Sequence, residues 1–369
     1  MFFFQRDMAV PLSHRLNDLG AVVYQKQLGT LFDKVQRVKA LALGVAREMG
    51  ADAATCQQVG RAVELCKCDL LTAMVNEFPD LQGVMGREYA TRQGEADEVA
   101  WAIEEHYQPR FAGDVLPRAL VSQAVGVADR LDTLCGIFSV GLIPTGDKDP
   151  FGLRRSALGL LRILIEQERD VDLRKMINEA LAPFSQIEAV PGTPRMRDMA
   201  GEVFAFVMER LRAYYADQGV PAEEFAAVAE RQPTQPYDFD RRLKALSAFR
   251  KLPQAASLSA ANKRISNILR QAPQPIASAV DVTKLVDPAE KQLFDFIARL
   301  TADVAPLWPR REYEAALLRL AQLREPVDLF FDKVMVMVEE GPLRANRLAL
   351  LKQLNDLFLR VADLSKLPG

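Results

Sequence analysis

The chain has 369 residues, 49% of them hydrophobic and 26% charged, which is the composition of a globular protein of two or three domains. It contains no apolar run near the roughly 20 residues of a membrane-spanning helix, and its four cysteines are too few for a disulfide scaffold. We therefore expect a cytoplasmic protein without a membrane partner. The net charge of −2 excludes polyanion binding by the chain as a whole, so any such contact must come from local basic clusters.

Helices are predicted along most of the first half of the chain. The opening sequence, MFFFQRDMAVPL, is interpreted as the last strand of a preceding domain. From about Leu28 onward, apolar residues recur at helical spacing. The predicted helices, which are bounded by capping residues, glycines and prolines, cover residues 28–50, 52–78, 94–108, 122–141 and 150 onward.

Two linkers divide the rest of the chain. Proline and glycine crowd the sequence APFSQIEAVPGTPRMRD, and RQPTQPYDFD is a second stretch of this kind. Between them the apolar pattern predicts a long helix from about Met196 to Ala216, and further helices follow from Asp240 to the end. The sequence thus predicts an all-α protein with an N-terminal helical domain, a helical connector and a C-terminal helical bundle.

A loop of glycine, proline and charged residues, PTGDKDPFGLRR, runs into the helix predicted at residue 150. It is not a P-loop, because Asp147 and Asp149 stand beside the glycine and the lysine and would repel a nucleotide phosphate. Asp149 before a proline instead predicts a capped helix start with the proline at the first position. Three basic residues flank this start: Lys148, Arg154 and Arg155. They are either ordinary surface charges or a binding site for a backbone phosphate, and the sequence favours neither interpretation.

Two short sequences, LCKCDL and VADRLDTLCG, combine acids and cysteines within predicted helices. The residues concerned are Cys66, Cys68, Asp69, Asp129, Asp132 and Cys135. A buried acid pair invites comparison with the HD superfamily of metal-dependent phosphohydrolases, whose sites need about four ligands, largely imidazoles. The chain has only two histidines, and neither lies beside an aspartate in sequence. We expect buried free cysteines, no metal site and no catalytic nucleophile, and we interpret His106 as a solvated or helix-capping residue.

The strongest compositional signal is a segment without acidic residues, 241–280. Its basic residues are Arg241, Arg242, Lys244, Arg250, Lys251, Lys263, Arg264 and Arg270. Exposed helix faces normally mix both signs of charge, so this segment favours a polyanionic partner over a solvated face alone. The final helix adds Arg344, Asn346 and Arg347. Arg347 falls on the apolar stripe of that helix, where we expect it to reach the rim of a cleft.

Four blocks of the sequence resemble one known family. They are CKCDLLTAMVNEFPDLQGVMGREYA (66–90), GIFSVGLIPTGDKDPFGLRRSALGLLRIL (136–164), AANKRISNIL (260–269) and FFDKVMVMVEEGPLRANRLALLKQLNDLFLRVADL (330–364). With these blocks the sequence resembles the beta subunit of bacterial heterotetrameric glycyl-tRNA synthetase. The opening residues also fit that family, where they lie mid-chain. We therefore expect the chain to correspond to the C-terminal half of that subunit.

The resemblance implies that aminoacylation and tRNA recruitment lie on two different kinds of subunit. In that family the aminoacylation chemistry lies on a separate alpha subunit, which binds glycine and uses ATP and Mg. The beta subunit recruits tRNA-Gly, and the glycine–tRNA ligase holoenzyme contains two alpha and two beta subunits. The resemblance therefore implies that this chain has no catalytic residue and no cofactor of its own.

The resemblance also implies the identity of each domain. Residues 1–30 would be the remnant of a preceding domain, 31–190 a degenerate HD-like helical domain and 191–235 a helical connector. Residues 236–369 would be an anticodon-binding helical bundle similar to that of arginyl-tRNA synthetase. The degenerate HD positions would be Cys68, Asp69, Asp129 and Asp132. Of these, Asp69 and Asp132 are interpreted as structural or relict positions.

On this resemblance the basic clusters become two contacts with one tRNA. The residues expected to bind the acceptor arm are Lys67, Lys148, Arg154 and Arg155. The residues expected to bind the anticodon arm are Arg242, Asn262, Lys263, Arg264, Arg344, Asn346 and Arg347. Phosphate contacts would supply affinity, whereas discrimination would need unstacked bases read by polar or aromatic side chains. Phe331, Asn262 and Asn346 are candidates for that reading.

Two other functions stay open on the residues alone. An HD-type phosphohydrolase would require a bound metal ion, which the scarcity of histidine disfavours. A non-catalytic helical scaffold would carry the same basic clusters only as solvated helix faces.

Overall fold

The computed structural model describes residues 2–185 and 196–368. Helices account for most of these residues, and the strands found among them form one short antiparallel hairpin of β1 (Val23–Gln25) and β2 (Gly29–Thr30). The prediction of an all-α fold class is confirmed. None of the helices in the described ranges is both long enough and apolar enough to cross a membrane.

The chain divides into two compact units. The first unit comprises Met1–Tyr214 with Thr234–Tyr237, and the second comprises Tyr215–Pro233 with Asp238–Gly369. The predicted boundary between residues 190 and 191 lies outside the described residues. The division into remnant, HD-like domain, connector and bundle stays a prediction.

The first unit is built around one buried helix. Its helices are α1 (Phe2–Met8), α2 (Leu31–Glu48), α3 (Ala53–Leu65), α4 (Ala73–Glu77), α5 (Val84–Arg92), α6 (Asp97–Glu105), α7 (Leu120–Ser139), α8 (Leu153–Glu166), α9 (Leu173–Leu181) and α10 (Met196–Asp217), whose last residues belong to the second unit. Helix α7 packs against α2, α3, α6, α8 and α9, and nearly all of its side chains are buried. Any charged residue on α7 therefore needs a partner inside the unit.

Several elements of the first unit differ from the sequence prediction, beginning with the opening residues. The opening residues form helix α1, not a strand. The helix predicted at 52–78 starts at its Asp52 cap as expected but ends at Leu65, because Thr72 caps a new helix by accepting a hydrogen bond from an amide of the first turn of α4. The long helix predicted from about Met196 is confirmed as α10.

The second unit is a bundle of helices. They are α11 (Ala222–Ala229), α12 (Pro236–Phe249), α13 (Ala255–Gln271), α14 (Pro288–Val304), α15 (Tyr313–Leu320), α16 (Arg324–Lys333) and α17 (Gly341–Leu359). Its largest fully buried side chains include Phe239, Phe330 and Phe358. Helix α14 starts with a capping box between Asp287 and Glu290.

Candidate nucleic-acid interface

Helices α2 and α7 bring together a cluster of buried charges in the first unit. The Nζ atom of Lys34 lies 3.0 Å from the Asp132 carboxylate and 3.2 Å from the Asp129 carboxylate. The two aspartates are three residues apart and so share one face of α7. Arg37 donates a hydrogen bond from Nε to Asp132 Oδ1 at 2.8 Å. Both aspartates are thus paired with basic side chains of α2.

A second lysine, Lys67, completes this cluster. Its Nζ atom lies 3.5 Å from Asp129 Oδ2, 2.7 Å from His106 Nε2 and 4.2 Å from the centre of the Tyr107 ring. The side chain is buried, and a contact between its ammonium group and RNA would require it to leave these partners. The role expected for Lys67 in acceptor-arm binding stays a prediction, and its burial disfavours it.

His106 belongs to the same cluster. It is the C-cap residue of α6, which confirms the helix-capping interpretation, but its side chain is buried, so the interpretation as a solvated residue is wrong. Its Nδ1 atom lies 2.9 Å from the carbonyl oxygen of Ile103, which assigns the ring proton to Nδ1 and leaves Nε2 to accept from Lys67. Burial and the charge of Lys67 hold the pKa of His106 well below its usual value. The imidazole is therefore neutral.

Lys34 and Asp129 keep their charges within the cluster. Burial by itself would lower the pKa of Lys34, but the carboxylates of Asp129 and Asp132 outweigh it and raise that pKa. Burial would likewise raise the pKa of Asp129, but the ammonium groups of Lys34 and Lys67 outweigh it and hold that pKa well below its usual range. The Lys34–Asp129 pair is therefore ionised at neutral pH and depends on its partners in the cluster.

This arrangement does not fit the metal ion of an HD-type site. Lysine ammonium groups pair with the carboxylates, and the nearby imidazole directs Nε2 at Lys67. A divalent cation would have to displace positive charges that are already in place. In the part of the chain that the structure describes, no group of three or more His, Cys, Asp or Glu side chains is arranged to hold a metal. Cys66, Cys68 and Cys135 are buried and free, as expected from the sequence.

The remaining degenerate HD positions, Cys68 and Asp69, lie in apolar surroundings next to the cluster. Asp69 is fully buried and accepts a hydrogen bond from the Gly83 amide at 2.6 Å. Burial raises the pKa of Asp69 to about 6 and raises the pKa of the Cys68 thiol far above its usual value. A thiol in this environment is inert. The interpretation of these positions as relicts stays a prediction.

The loop at 144–155 differs from its predicted form in one respect. Helix α8 begins at Leu153, three residues after the expected start, because Gly152 adopts a left-handed conformation with φ of +64° and ends the loop. Asp149 does act as the capping acid, since its carboxylate accepts hydrogen bonds from the amides of Leu153 and Arg154 at 2.8 and 2.9 Å. The helix N-terminus is therefore already occupied by a carboxylate of the chain.

The three basic residues of this loop are placed differently. Lys148 and Arg155 are exposed, and their side chains make no hydrogen bond or ion pair with another described residue. Arg154 is half-buried and donates to the Gly146 carbonyl at 2.5 Å, which holds the loop against the helix. Two cations of the loop thus remain available to a ligand.

Two of the residues expected to bind the anticodon arm serve the second unit internally. Arg242 donates from Nε to Asp238 at 2.6 Å and from Nη1 to the carbonyl of Val361 at 3.1 Å, and its guanidinium stacks 4.5 Å above the Tyr313 ring. Asn262 is buried and donates to the carbonyl of the preceding turn of α13 at 2.9 Å. Neither side chain is presented to solvent for base reading, although their assignment to the anticodon arm stays a prediction.

Helix α17 uses its basic residues to hold the segment that follows α16. Arg347 is buried, pairs with Glu290 and donates from Nη1 to the carbonyl of Met335 at 2.8 Å. Arg344 donates to the carbonyl of Val338 at 3.3 Å. Arg347 therefore does not reach the rim of a cleft, and that expectation is wrong, because the buried carboxylate of Glu290 draws the guanidinium inward.

Asn346, on the same helix, makes two hydrogen bonds to the backbone of Asp281. Its Oδ1 atom accepts from the Asp281 amide at 2.7 Å, and its Nδ2 atom donates to the Asp281 carbonyl at 3.0 Å. These two bonds use one acceptor site of Oδ1 and one N–H of Nδ2, both on the backbone of Asp281. The geometry favours a structural role over the base-reading role expected from the sequence, which stays a prediction.

The segment held by α17 lines a surface pocket of about 490 Å³ in the second unit. Arg264 from α13 lies 4.2 Å above the ring of Phe331 from α16, and both line this pocket. The remaining lining residues are Ile268, Asp332, Lys333, Val334, Met335, Val336 and Met337. Lys263, beside Arg264, is exposed and has no hydrogen-bond or ion-pair partner among the described residues. An aromatic ring, a guanidinium and the ammonium group of Lys333 thus line one concave surface, and the exposed Lys263 adjoins Arg264 in sequence.

Two models of known protein families match this chain. A family model described as glycyl-tRNA synthetase beta subunit matches residues 1–230. The chain belongs to this family. A second model, described as DALR anticodon binding domain, matches residues 258–364, which contain the Arg264–Phe331 pocket. The resemblance stated from the sequence is confirmed.

Individual glycyl-tRNA synthetase beta subunits agree with this assignment. The glycine–tRNA ligase beta subunit of Aeromonas hydrophila is 50% identical over 366 residues, which cover 99% of this chain and 52% of that protein. The corresponding subunits of Pseudomonas aeruginosa and Sodalis glossinidius are 49% and 48% identical with the same coverage. The chain therefore spans about half the length of the curated relatives it matches.

Sequence reasoning did not identify the ion pairs inside this member of the glycyl-tRNA synthetase beta subunit family. Lys34 lies at helical spacing with Val38, Leu41 and Val45, all of them buried, so its position on an apolar stripe was a usable signal of a buried acid partner. Nothing in the local sequence identified that partner, because Asp132 is 98 residues away.

Proposed function

We propose that this chain is the tRNA-binding part of a glycyl-tRNA synthetase beta subunit, which recruits tRNA-Gly for glycylation on a separate alpha subunit. The observation that carries the proposal is the pocket at Arg264 and Phe331, within the residues that match an anticodon-binding domain. Single-stranded RNA is read by splaying bases onto aromatic rings or guanidinium planes and by pairing phosphates with basic groups. The pocket offers each of these groups.

The anticodon arm is proposed to lie on this surface of the second unit. Phe331 and Arg264 would stack an unpaired anticodon base, and the exposed Met335 and Met337 would add apolar contact. Lys263 and Lys333 would contact the adjacent phosphates. Arg344, with its buried neighbours on α17, would act as a positioning residue, since it holds the pocket wall and does not face the ligand.

The acceptor arm is proposed to contact the first unit at Lys148, Arg154 and Arg155. Asp149 already occupies the amides at the start of α8, which leaves side-chain cations and not a helix dipole to bind phosphate. The loop would then bind the backbone of a nucleic acid and not a free nucleotide. The buried cluster beneath it would stabilise the fold.

The catalytic partner is proposed to be the alpha subunit, in a heterotetramer of two alpha and two beta subunits. That subunit would bind glycine and use ATP and Mg, and this chain would supply no catalytic residue and no cofactor. The purified chain should then bind tRNA-Gly and catalyse no glycine-dependent pyrophosphate exchange. Glycine-dependent pyrophosphate exchange by a preparation shown to lack the alpha subunit would contradict the proposal.

A salt titration with paired variants tests the tRNA-binding role. The logarithm of the association constant for tRNA-Gly should fall linearly with the logarithm of salt concentration. Arg264→Ala should weaken binding of both tRNA-Gly and its isolated anticodon stem-loop. Arg299→Ala removes an exposed arginine that also stacks on a phenylalanine, Phe296, and should change neither. Failure to bind tRNA-Gly even at low salt would favour the scaffold interpretation.

The division between the two arms needs its own comparison. Changing Arg154 and Arg155 together to Ala should weaken binding of full-length tRNA-Gly and leave binding of the isolated anticodon stem-loop unchanged. Equal weakening of both ligands would contradict the assignment of the loop to the acceptor arm while leaving the tRNA-binding role intact.

A further inference from the structure

A cavity of about 200 Å³ opens beside the start of α8 in the first unit. Its lining comes from three places in the chain: His106, Tyr107, Pro109 and Arg110 after α6, Asp129 and Arg130 on α7, and Phe151, Gly152, Arg155 and Ser156 around the start of α8. His106 and Asp129 thus belong both to the lining of the cavity and to the cluster with Lys34 and Lys67.

The walls of this cavity are fixed by a buried arginine. Arg130 donates from Nη1 to the carbonyl of His106 at 2.9 Å and from Nη2 to the carbonyls of Tyr107 and Pro109 at 3.1 Å each. A side chain at Gly159 of α8 would place its Cβ 2.7 Å from the guanidinium of Arg130, so only glycine leaves room for it. The loop after α6 is thus held in one position against α7 and α8.

The charge of the cavity is positive. Asp129 is the acid among its lining residues, and the ammonium groups of Lys34 and Lys67 already neutralise it from below. Arg110, after α6, and Arg155, on the first turn of α8, are both exposed and line the cavity, and neither side chain makes a hydrogen bond or ion pair with another described residue. Two uncompensated guanidinium groups that face one cavity form a site for an anion such as a phosphate.

Phe151 adds an apolar contact to this basic cavity. Its side chain lines the cavity and is 40% exposed, so part of the ring is accessible from the cavity side. Ser156, on the first turn of α8, lines the same cavity with a hydroxyl group that bonds to no other described side chain. A guanidinium pair, a hydroxyl and an exposed ring match the phosphate, the sugar and the base of a nucleotide.

We infer that this cavity binds one unpaired nucleotide at the acceptor end of tRNA, with Arg110 and Arg155 on its phosphate and Phe151 against its base. The inference rests on the proposed function. At about 200 Å³ the cavity is smaller than the roughly 300–1,000 Å³ of typical small-molecule sites, which favours one nucleotide of a strand held elsewhere over a free nucleoside triphosphate. A nucleotide next to the acceptor stem would leave the 3′ end free to reach the alpha subunit.

Three forms of tRNA-Gly test the inference: the complete molecule, one without its terminal CCA, and one that also lacks the unpaired nucleotide before it. Arg110→Ala and Arg155→Ala should each weaken binding of the first two forms about tenfold. They should have little effect on the third form, because the nucleotide that they contact is missing. Arg92→Ala, at an exposed arginine of the same unit that does not line the cavity, should leave all three forms unchanged.

Phe151 provides a second, uncharged test. Phe151→Ala should weaken binding of the first two forms about five- to hundredfold, as expected for the loss of one base–aromatic stack. Phe78→Ala is the matched control, since Phe78 is 49% exposed in the same unit but does not line the cavity. Urea unfolding of each variant shows whether the unit remains folded at the temperature of the binding measurement.

The outcomes separate this inference from the proposed function. If the Arg110, Arg155 and Phe151 variants weaken all three tRNA forms equally, the cavity residues contact the paired stem and the inference is wrong, although the tRNA-binding role stands. Unchanged binding of complete tRNA-Gly by all three variants would also overturn the inference. Absence of tRNA binding by the unaltered chain would overturn the proposed function itself.

Discussion

The two units use the same kinds of charged residue for opposite purposes. In the first unit, Lys34 and Lys67 are buried against Asp129 and Asp132, where their ammonium groups neutralise carboxylates of the core helix. In the second unit, Lys263 is exposed with no ion-pair partner among the described residues, next to the aromatic pocket. A lysine in the first setting stabilises the fold, and a lysine in the second is available to a phosphate.

The difference shows why basic residues cannot be assigned to a binding surface by sequence position. A buried ion pair is expensive to break, because removing one partner leaves an uncompensated charge in a region that water does not reach. An exposed lysine without a partner costs almost nothing to replace. Stability and binding measurements on matched variants should therefore separate the two classes cleanly.

The largest effect is expected for Lys34→Met. This change removes the cation that faces both Asp129 and Asp132, and it should lower the free energy of unfolding by about 3–5 kcal/mol. Lys263→Met, at the exposed lysine of the second unit, should change that free energy by less than about 0.5 kcal/mol. Urea unfolding of both variants measures the contrast. Equal losses of stability would show that burial does not distinguish the two lysines.

A pH dependence should distinguish the buried acid Asp69 from an exposed one. Its pKa is about 6 in the folded chain against 3.8 for the ordinary group, so between these values the folded state binds more protons than the unfolded state. The free energy of unfolding should therefore decrease as pH rises from about 4 to about 6, by up to about 3 kcal/mol from this group.

The variant Asp69→Asn should abolish that part of the pH dependence, because the amide does not ionise. Asp80→Asn, at an exposed acid of the same unit, should leave the pH dependence as it is in the unaltered chain. Urea unfolding at several pH values across the window measures both. A slope that persists in Asp69→Asn would assign the effect to another buried group.

Phe331→Ala should produce the largest loss of binding in the second unit. The loss of one base–aromatic stack should weaken the affinity for the anticodon stem-loop about five- to hundredfold. Phe296→Ala removes another ring that stacks with an arginine, Arg299, but does not line the pocket, and it should bind normally. Binding measured at one fixed salt concentration provides the comparison. A similar loss in both variants would contradict the assignment of base stacking to the pocket.

The smallest effect is expected for Lys263→Ala. Removal of one phosphate contact should weaken anticodon-arm binding a few-fold and reduce the slope of log affinity against log salt by about 0.7. Lys291→Ala, at an exposed lysine of α14 that neither lines the pocket nor adjoins a lining residue in sequence, should leave the slope unchanged. If neither variant changes the slope, phosphate contacts in the second unit come from other residues.

Much of the fold followed from local patterns in the sequence. Apolar residues at helical spacing identified α2, α7 and α10, and Asp52 and Asp149 acted as capping acids where the sequence predicted them. Boundaries were wrong where a second local signal competed with the first, as at Thr72 and Gly152. Capping and glycine conformation are short-range effects, so most of this level of structure is readable from the chain alone.

The candidate site was less predictable than the fold. The acid-free segment drew attention to Lys263 and Arg264, which are exposed neighbours on α13, and Arg264 lines the pocket of the second unit. It equally drew attention to Arg242, whose side chain bonds to Asp238 and to the carbonyl of Val361. Composition records the sign of a charge and not its partner, so it could not separate these residues.

The sequence by itself determined the helical architecture, the family and the presence of local basic clusters, because helix periodicity, capping signals and the four blocks that resemble the family are all contained in short stretches of chain. Only the tertiary structure decided which charged side chains are buried and paired inside the fold. Lys34 meets Asp132 across 98 residues, and Arg347 meets Glu290 across 57. Burial and pairing depend on such long-range contacts, and they determine whether a basic side chain can reach a nucleic acid.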